Sequence, residues 1–215
     1  MPGATFVALE GSAANIWEQE TTGALAALAE FLELPPPVVP ARPSRPSRPL
    51  VVLFTDLEGS TALTSALGDR LAQELLREHD LLVRSLLDAW GGREVKHTGD
   101  GMMTSFPSVS GALSAAAGLQ AALGERNAGQ EVTPLVVRVG INAGEPLEER
   151  GDLYGTVVQL AARLCASAEP GQVVVSNVVR ELAAGKGFGF DDLGHADLKG
   201  FPEPVRRWAL RPPAG

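Results

Sequence analysis

The chain alternates between short apolar runs and longer stretches whose apolar residues recur at helical spacing. The run VVLFT (51–55) is typical of a buried strand. Residues 69–90 predict an amphipathic helix, and Gly91 with Gly92 predicts its end. The predicted apolar face of this helix contains Leu71, Leu75, Leu82 and Leu86. The segment EVKHTGDGMMTSF (94–106) predicts two strands joined by a tight Gly-Asp-Gly turn.

The second half continues this alternation. Residues 108–124 are rich in alanine and predict a helix, and LVVRVGINA (135–143) predicts another strand. Residues 156–168 predict a helix that breaks before Pro170, because the residue preceding a proline disfavours helical geometry. Short apolar runs with a short helix among them complete the pattern, at 172–176, 187–194 and 204–210. Helices interleaved with hairpin-joined strands predict an α+β fold, in which helices pack on a mixed sheet.

A proline-rich segment divides the chain. Residues 35–49 read PPPVVPARPSRPSRP, which predicts an extended, semi-rigid linker because proline fixes φ and removes amide donors. Residues 1–34 predict a short strand and a helix, which cannot bury a core alone. Residues 50–212 are therefore predicted to form the one full domain that 215 residues allow.

Charge and cysteine usage narrow the classes of partner. The net charge of −8 argues against nucleic-acid binding, which requires clustered lysine and arginine. The single cysteine, Cys165, excludes an intrachain disulfide and fits a reducing compartment. No apolar run approaches the ~20 residues that a membrane-spanning helix needs. We therefore expect a cytoplasmic protein with no nucleic-acid or membrane partner, and no motif identifies a regulatory domain.

The motif FTDLEGST (54–61) places an aspartate at the end of a predicted strand, before a turn of small residues that opens a helix. Asp56 offers hard oxygen ligands, and the backbone amides of Gly59, Ser60 and Thr61 are placed to cradle a polyphosphate. The alternative is that Asp56 or Ser60 only caps the helix. Taken alone, this motif leaves both interpretations open.

A second aspartate, Asp100, lies between two glycines in KHTGDGMM (96–103). An Asp-Gly pair often serves only the turn, because these residues tolerate positive φ. If the strand of Asp56 pairs beside this hairpin, however, both carboxylates converge on one edge. Two carboxylates without a cluster of histidine and cysteine favour two Mg²⁺ or Mn²⁺ ions, a device for in-line displacement at phosphorus.

Five motifs in order give the chain a family resemblance over roughly residues 50–210: FTDLEGST, GGREVKHTGDGMMTSF, VRVGINAGEP, DLYGTVVQLAARL and DLKGFPEPV. Together they resemble the class III adenylate/guanylate cyclase catalytic domain. The short stretch between VGINAG and DLYG resembles the bacterial subtype with an abbreviated dimerisation arm. The resemblance implies a ferredoxin-like βαβ core and a head-to-tail homodimer with active sites at its interface. It also implies conversion of ATP to cyclic AMP and pyrophosphate.

The resemblance also implies a role for each matching residue. Asp56 and Asp100 match the two metal-binding carboxylates, assisted by the backbone carbonyl of Leu57. Lys96 and Asp152 match the pair that recognises adenine, whose N1 accepts and whose N6 amino group donates. The remaining matches are Arg163, for transition-state charge, and Lys199, for the triphosphate. The metal ligands would come from one subunit and the other four residues from its partner.

One position departs from the family pattern. Gln159 stands one helical turn before Arg163, where the family usually has asparagine. Glutamine offers the same amide on a longer arm, and loss of a comparable preorganised contact costs on the order of 10²–10³-fold in rate. A catalytically weak or inactive nucleotide-binding module is therefore one alternative to an adenylate cyclase. A guanylate cyclase is the other, and Lys96 with Asp152 argues against it.

Overall fold

The computed structural model describes residues 31–32, 48–60, 65, 68–129 and 133–212. The chain divides into two compact units, Met1–Arg45 and Pro46–Gly215, and the strands and helices named here lie in the second. The predicted strand-helix appendage (1–34) and linker (35–49) lie outside the described residues, apart from 31–32 and 48–49. Both therefore stay predictions.

Nine strands and four helices occupy the described part of the second unit. The strands are β1 (Leu50–Leu57), β2 (Arg93–His97), β3 (Met102–Phe106), β4 (Val137–Gly144), β5 (Leu147–Glu149), β6 (Asp152–Tyr154), β7 (Val173–Ser176), β8 (Phe190–Ala196) and β9 (Val205–Leu210). The helices are α1 (Asp69–Trp90), α2 (Val109–Asn127), α3 (Thr156–Ala166) and α4 (Asn177–Leu182).

Seven strands form one mixed sheet in the order β2-β3-β1-β4-β7-β9-β8. The first four strands with α1 and α2 follow a β-α-β-β-α-β succession, which is the ferredoxin-like arrangement. Only β4 and β7 run parallel, and the other pairs in the sheet are antiparallel. The predicted α+β fold with a mixed sheet is confirmed.

The helices cover both faces of the sheet, which explains why β1 is an almost continuous apolar run. Val51 and Leu53 belong to the core cluster that includes α1 and α2, while Val52 packs with Ala161 of α3. Successive side chains of a strand point to opposite faces, so α3 lies on the face opposite α1 and α2. Both faces of the central strands are therefore buried from solvent.

The buried face of α1 differs from the predicted one. Its fully buried residues are Ala72, His79, Val83 and Leu87. Leu71, one of the four predicted leucines, is 40% exposed, and the others are only partly buried at the edge of the core. The buried face is displaced by about one residue from the predicted one, and the polar His79 on it contacts Thr55 of β1. Gly91 ends α1 in the left-handed conformation, as predicted.

A short hairpin, β5–β6, forms a second sheet that the apolar pattern did not predict. Its strands have three residues each, and β5 is exposed throughout. The two turn residues, Arg150 and Gly151, both have positive φ, as in the type I′ turns that match strand twist. This turn pairs Glu149 with Asp152 and so fixes Asp152 at the start of β6. Among the described residues, no helix is long and apolar enough to cross a membrane.

Candidate active site

The structure brings Asp56 and Asp100 together at one edge of the sheet. Asp56 is the penultimate residue of β1, and Asp100 lies in the loop between β2 and β3. Because β1 and β3 are antiparallel neighbours, the end of β1 meets the start of β3. Gly101 makes this approach possible, since a Cβ there would lie only 1.9 Å from the carbonyl oxygen of Thr55. The hairpin tip therefore sits directly against the main chain of β1.

Burial and mutual repulsion act on the aspartate pair. Burial raises the pKa of Asp56, and the negative charge of Asp100 raises it further, while a hydrogen bond from Arg138 opposes both. The side chain of Ser60 donates a hydrogen bond to the second oxygen, Oδ2, of Asp100. Two carboxylates whose charges repel each other form a site that a cation stabilises.

Arg138 is a site residue that the sequence interpretation missed. It lies opposite Asp56 in the β1–β4 ladder, and its Nη2 donates to Asp56 Oδ2. Its Nε lies 3.2 Å from Oε2 of Glu58, as a charge contact without hydrogen-bond geometry. A single arginine in the apolar strand LVVRVGINA was the available signal, because a charge in a buried strand requires a partner.

The donor set at this edge fits Mg²⁺ or Mn²⁺. These ions are commonly held by one or two carboxylates together with substrate phosphates, rather than by a complete protein cage. Within the described part of the chain, no cluster of three or more histidine, cysteine, aspartate or glutamate side chains could hold a metal ion. Burial raises the pKa of nearby Cys165 to about 12, which disfavours the thiolate form that binds metals. Asp56 and Asp100 are the side chains that would hold the metal.

The phosphate-binding segment is described only in part. Leu57 is buried at the end of β1, and the backbone amide of Glu58 donates to the carbonyl of Val136. Gly59 adopts a φ of 67°, in the region that favours glycine, and Ser60 is already helical. Thr61 lies outside the described residues. The predicted roles of Leu57, Gly59, Ser60 and Thr61 toward phosphate or metal stay predictions.

Lys96 and Asp152 form an ion pair within one chain. The Nζ of Lys96 on β2 lies 2.5 Å from Oδ2 of Asp152, and it also lies 5.5 Å from the centre of the Tyr154 ring. The hydrogen bond from Lys96 lowers the pKa of Asp152, and the backbone amide of Leu153 donates to Oδ1 of the same carboxylate. Asp152 is thus held ionised as an acceptor beside an ammonium donor.

Arg163 and Lys199 also lie together. The Nε of Arg163 on α3 donates to the backbone carbonyl of Lys199, with a distance of 3.1 Å. Both residues are exposed, as is Gln159, which lies one helical turn before Arg163 on the same face. The helix approaches β4 closely because Gly140 has no side chain, and a Cβ there would lie 2.1 Å from the backbone nitrogen of Cys165.

A cavity of about 450 Å³ lies away from these residues. It is formed between α2, the connection from α3 to β7, and the end of β9, with Gln120, Gln172 and Arg211 in its wall. None of the predicted site residues lines it. The candidate site residues instead form three separate contacts: Asp56 lies beside Asp100, Lys96 pairs with Asp152, and the side chain of Arg163 binds the backbone carbonyl of Lys199.

Comparison with known proteins supports the family resemblance that the five sequence motifs indicate. Residues 43–212 match the family model described as the adenylate and guanylate cyclase catalytic domain. A putative adenylate cyclase 3 of Rhizobium meliloti is 38% identical over 56% of this chain. An uncharacterized protein of Mycobacterium tuberculosis is 38% identical over 73% of it. The matches span only 21% and 40% of those two relatives.

Solved structures of cyclases have the same fold. An adenylate/guanylate cyclase/hydrolase from Silicibacter pomeroyi is 34% identical, with a TM-score of 0.66 over 78% of this chain and 98% of that one. The adenylate cyclases of Trypanosoma brucei in their monomeric state are 29% identical, with a TM-score of 0.69 over 81% of this chain and 94% of theirs. The adenylyl cyclase CyaB of P. aeruginosa is 25% identical, with a TM-score of 0.66 over 78% of this chain and 97% of that one. With its five ordered motifs and its ferredoxin-like core, this chain belongs to the adenylate and guanylate cyclase catalytic domain family.

Proposed function

We propose that this domain is an adenylate cyclase that converts ATP to 3′,5′-cyclic AMP and pyrophosphate. The observation that carries the proposal is the Lys96–Asp152 pair, a donor beside an acceptor at 2.5 Å. Adenine presents an acceptor at N1 and a donor at N6, so it can replace the ion pair with two hydrogen bonds of matching polarity. Guanine presents the opposite pattern on that edge and would leave both groups mismatched, which is costly.

The proposed reaction joins the ribose 3′-oxygen to the α-phosphorus and breaks the bond from that phosphorus to the bridging oxygen of pyrophosphate. The 3′-hydroxyl proton is released, and no covalent enzyme intermediate forms. Asp56 and Asp100 would hold two divalent ions, which acidify the 3′-hydroxyl and neutralise phosphate charge when bound. Arg163 neutralises charge on the transferring phosphoryl group, Lys199 binds the triphosphate and Gln159 orients the ribose.

The site is proposed to be shared between two copies of the chain. Each of the three contacts, Asp56 with Asp100, Lys96 with Asp152 and Arg163 with the carbonyl of Lys199, forms within a single chain. One subunit can therefore supply the aspartate pair while its partner supplies Lys96, Asp152, Arg163 and Lys199. Two such sites arise in a dimer with twofold symmetry, because each subunit presents both halves.

The test is cyclisation by the full chain, supplied in turn with ATP and GTP in the presence of Mn²⁺ or Mg²⁺. Chromatography should detect cyclic AMP and pyrophosphate, and the variant Asp56→Asn should form neither. A matched control is Asp191→Asn, which makes the same chemical change at an exposed residue paired with Arg211. No cyclic product under any condition would leave a nucleotide-binding module in place of an enzyme. A preference for GTP would overturn the assignment of adenine to Lys96 and Asp152.

A further inference from the structure

A buried histidine lies directly behind the aspartate pair. His79 on α1 is 0% exposed, although the rest of the buried face of α1 is apolar. Its Nε2 lies 3.1 Å from Oγ1 of Thr55, and its Nδ1 lies 3.1 Å from Oδ1 of Asp80. Thr55 Oγ1 also accepts the backbone N–H of Met102 at 2.9 Å. These contacts form a chain of hydrogen bonds from α1 through β1 to β3.

The burial of His79 favours one direction for each of these hydrogen bonds. Burial lowers the pKa of His79, so the ring is neutral near pH 7 and carries one proton. An ionised carboxylate only accepts, so this proton lies on Nδ1 and is donated to Asp80. The Nε2 lone pair then accepts the hydroxyl proton of Thr55. That hydroxyl is thereby oriented with its own lone pair toward the N–H of Met102.

This chain of bonds holds the two segments that carry the aspartates. Thr55 immediately precedes Asp56, and Met102 follows Asp100 after one glycine. The β1–β3 ladder has its last pair at Phe54 and Met103, so the Thr55 hydroxyl extends the contact one step further toward the site. The backbone of the hairpin tip also packs against the carbonyl of Thr55. Thr55 therefore fixes the hairpin through both its side chain and its main chain.

We propose that Thr55 and His79 are positioning residues that set the separation of Asp56 and Asp100 for divalent-metal binding. The inference rests on the proposed function. An apolar residue at position 79 would fill the same space without the cost of burying an imidazole. What the imidazole adds is a fixed acceptor that prevents the Thr55 hydroxyl from rotating away from Met102. Residues that do not touch the metal but orient its ligands typically change metal affinity 10–100-fold when they are removed.

The test compares Thr55→Val, which removes the hydroxyl at nearly constant shape, with Thr55→Ser, which keeps it. Leu113→Ala is the control, because it opens the core at a fully buried position of α2, a helix that carries none of the proposed site residues. Mn²⁺ is titrated by electron paramagnetic resonance into full-length protein with α,β-methylene ATP, an analogue that is not turned over. The urea midpoint of each variant is measured alongside to record its stability.

We expect Thr55→Val and His79→Leu to weaken Mn²⁺ binding at least about 10-fold. Thr55→Ser should stay near the wild-type affinity, and Leu113→Ala should lower the urea midpoint without changing Mn²⁺ affinity. Equal Mn²⁺ affinity in Thr55→Val and the wild type would overturn the positioning role. So would weakening in Leu113→Ala of the same size, since it would reduce the effect to general destabilisation. Absence of Mn²⁺ and nucleotide binding in the wild type would instead refute the proposed function.

Discussion

The contact between Gly101 and the main chain of Thr55 determines where Asp100 lies. Gly101→Ala would place a methyl group 1.9 Å from a carbonyl oxygen in the backbone of β1, where no side chain can move aside. We expect the free energy of unfolding to fall by about 1–3 kcal/mol, the usual cost of overpacking, and cyclase activity to fall with it. Urea denaturation and a cyclic AMP assay measure the two effects.

Gly124 provides the matched control for this substitution. It lies within α2, and a Cβ there would meet nothing within 4 Å. Gly124→Ala should therefore raise the free energy of unfolding by about 0.5–1 kcal/mol, because alanine loses less conformational freedom in a helix. If Gly101→Ala and Gly124→Ala both lowered, or both raised, the free energy of unfolding, the close approach of Gly101 to the main chain of Thr55 would not explain the effect at position 101.

The burial of neutral His79 makes stability depend on pH. Burial lowers the pKa of His79 below its usual 6.5, while Asp80 and Asp100 act to raise it and His97 acts to lower it. Below pH 6.5 the unfolded chain takes up a proton that the folded chain does not. Stability is therefore lost as pH falls from about 7, with a slope of up to ~1.4 kcal/mol per pH unit from this residue.

The comparison variant is His79→Gln, which has no titrating group at this position. Chemical denaturation at pH 7.5, 6.5 and 5.5 should give a steeper loss of stability for the wild type than for the variant. The two other histidines, His97 and His195, are present in both proteins, so the difference between the two profiles reports chiefly on position 79. Parallel pH profiles would contradict a neutral buried imidazole at position 79.

Arg126 joins α1 and α2 to the segment that leads into β4. It donates to both carboxylate oxygens of Glu78 on α1, at 2.7 and 2.8 Å, and to the carbonyl of Thr133 at 2.7 Å. The side chain of Arg126 is 13% exposed, whereas that of Glu78 is 45% exposed. Water can replace the arginine as a partner of Glu78, but it cannot readily reach the guanidinium.

The two partners should therefore differ in their contribution to stability. Arg126→Lys loses the planar fork and the contact with Thr133, and we expect it to cost about 1–2 kcal/mol. Glu78→Gln removes a charge that solvent screens and one of the two oxygens that accept from Arg126, and it should cost less, about 0.5–1 kcal/mol. Thermal unfolding of both variants at pH 7 measures the difference, and equal losses would show that the ion pair alone matters.

How far the sequence determines the elements depends on which interaction fixes each one. The end of α1 at Gly91 and the hairpin around Asp100 could be predicted because local backbone preferences set them. The buried face of α1 was predicted wrongly, because apolar residues recur at helical spacing on two adjacent faces and packing selects the face with His79, Val83 and Leu87. Arg138 was missed for a related reason: its position opposite Asp56 depends on the β1–β4 register, which no local pattern specifies.

The proposed shared site requires two copies of the chain, so we expect a single chain to be inactive. The aspartate pair and the groups proposed to bind the base and phosphates are each assembled within one chain. In the proposed dimer, one site uses Asp56 of one subunit with Arg163 of the other. When the two substitutions are on different subunits, both defects fall in the same site and the second site is intact. When every subunit carries the same substitution, both sites are defective.

Mixing Asp56→Ala subunits with Arg163→Ala subunits should consequently restore activity that neither variant has alone. Random exchange of equal amounts gives heterodimers as about half of all dimers, and each has one intact site of two. We expect about a quarter of the wild-type specific activity for cyclic AMP formation. Mixing Asp56→Ala with Asp100→Ala serves as the control and should restore none, because both residues belong to the same half of each site. Restoration in the control mixture would place Asp56 and Asp100 of one site on different subunits. Restoration in neither mixture would place the complete site within one chain.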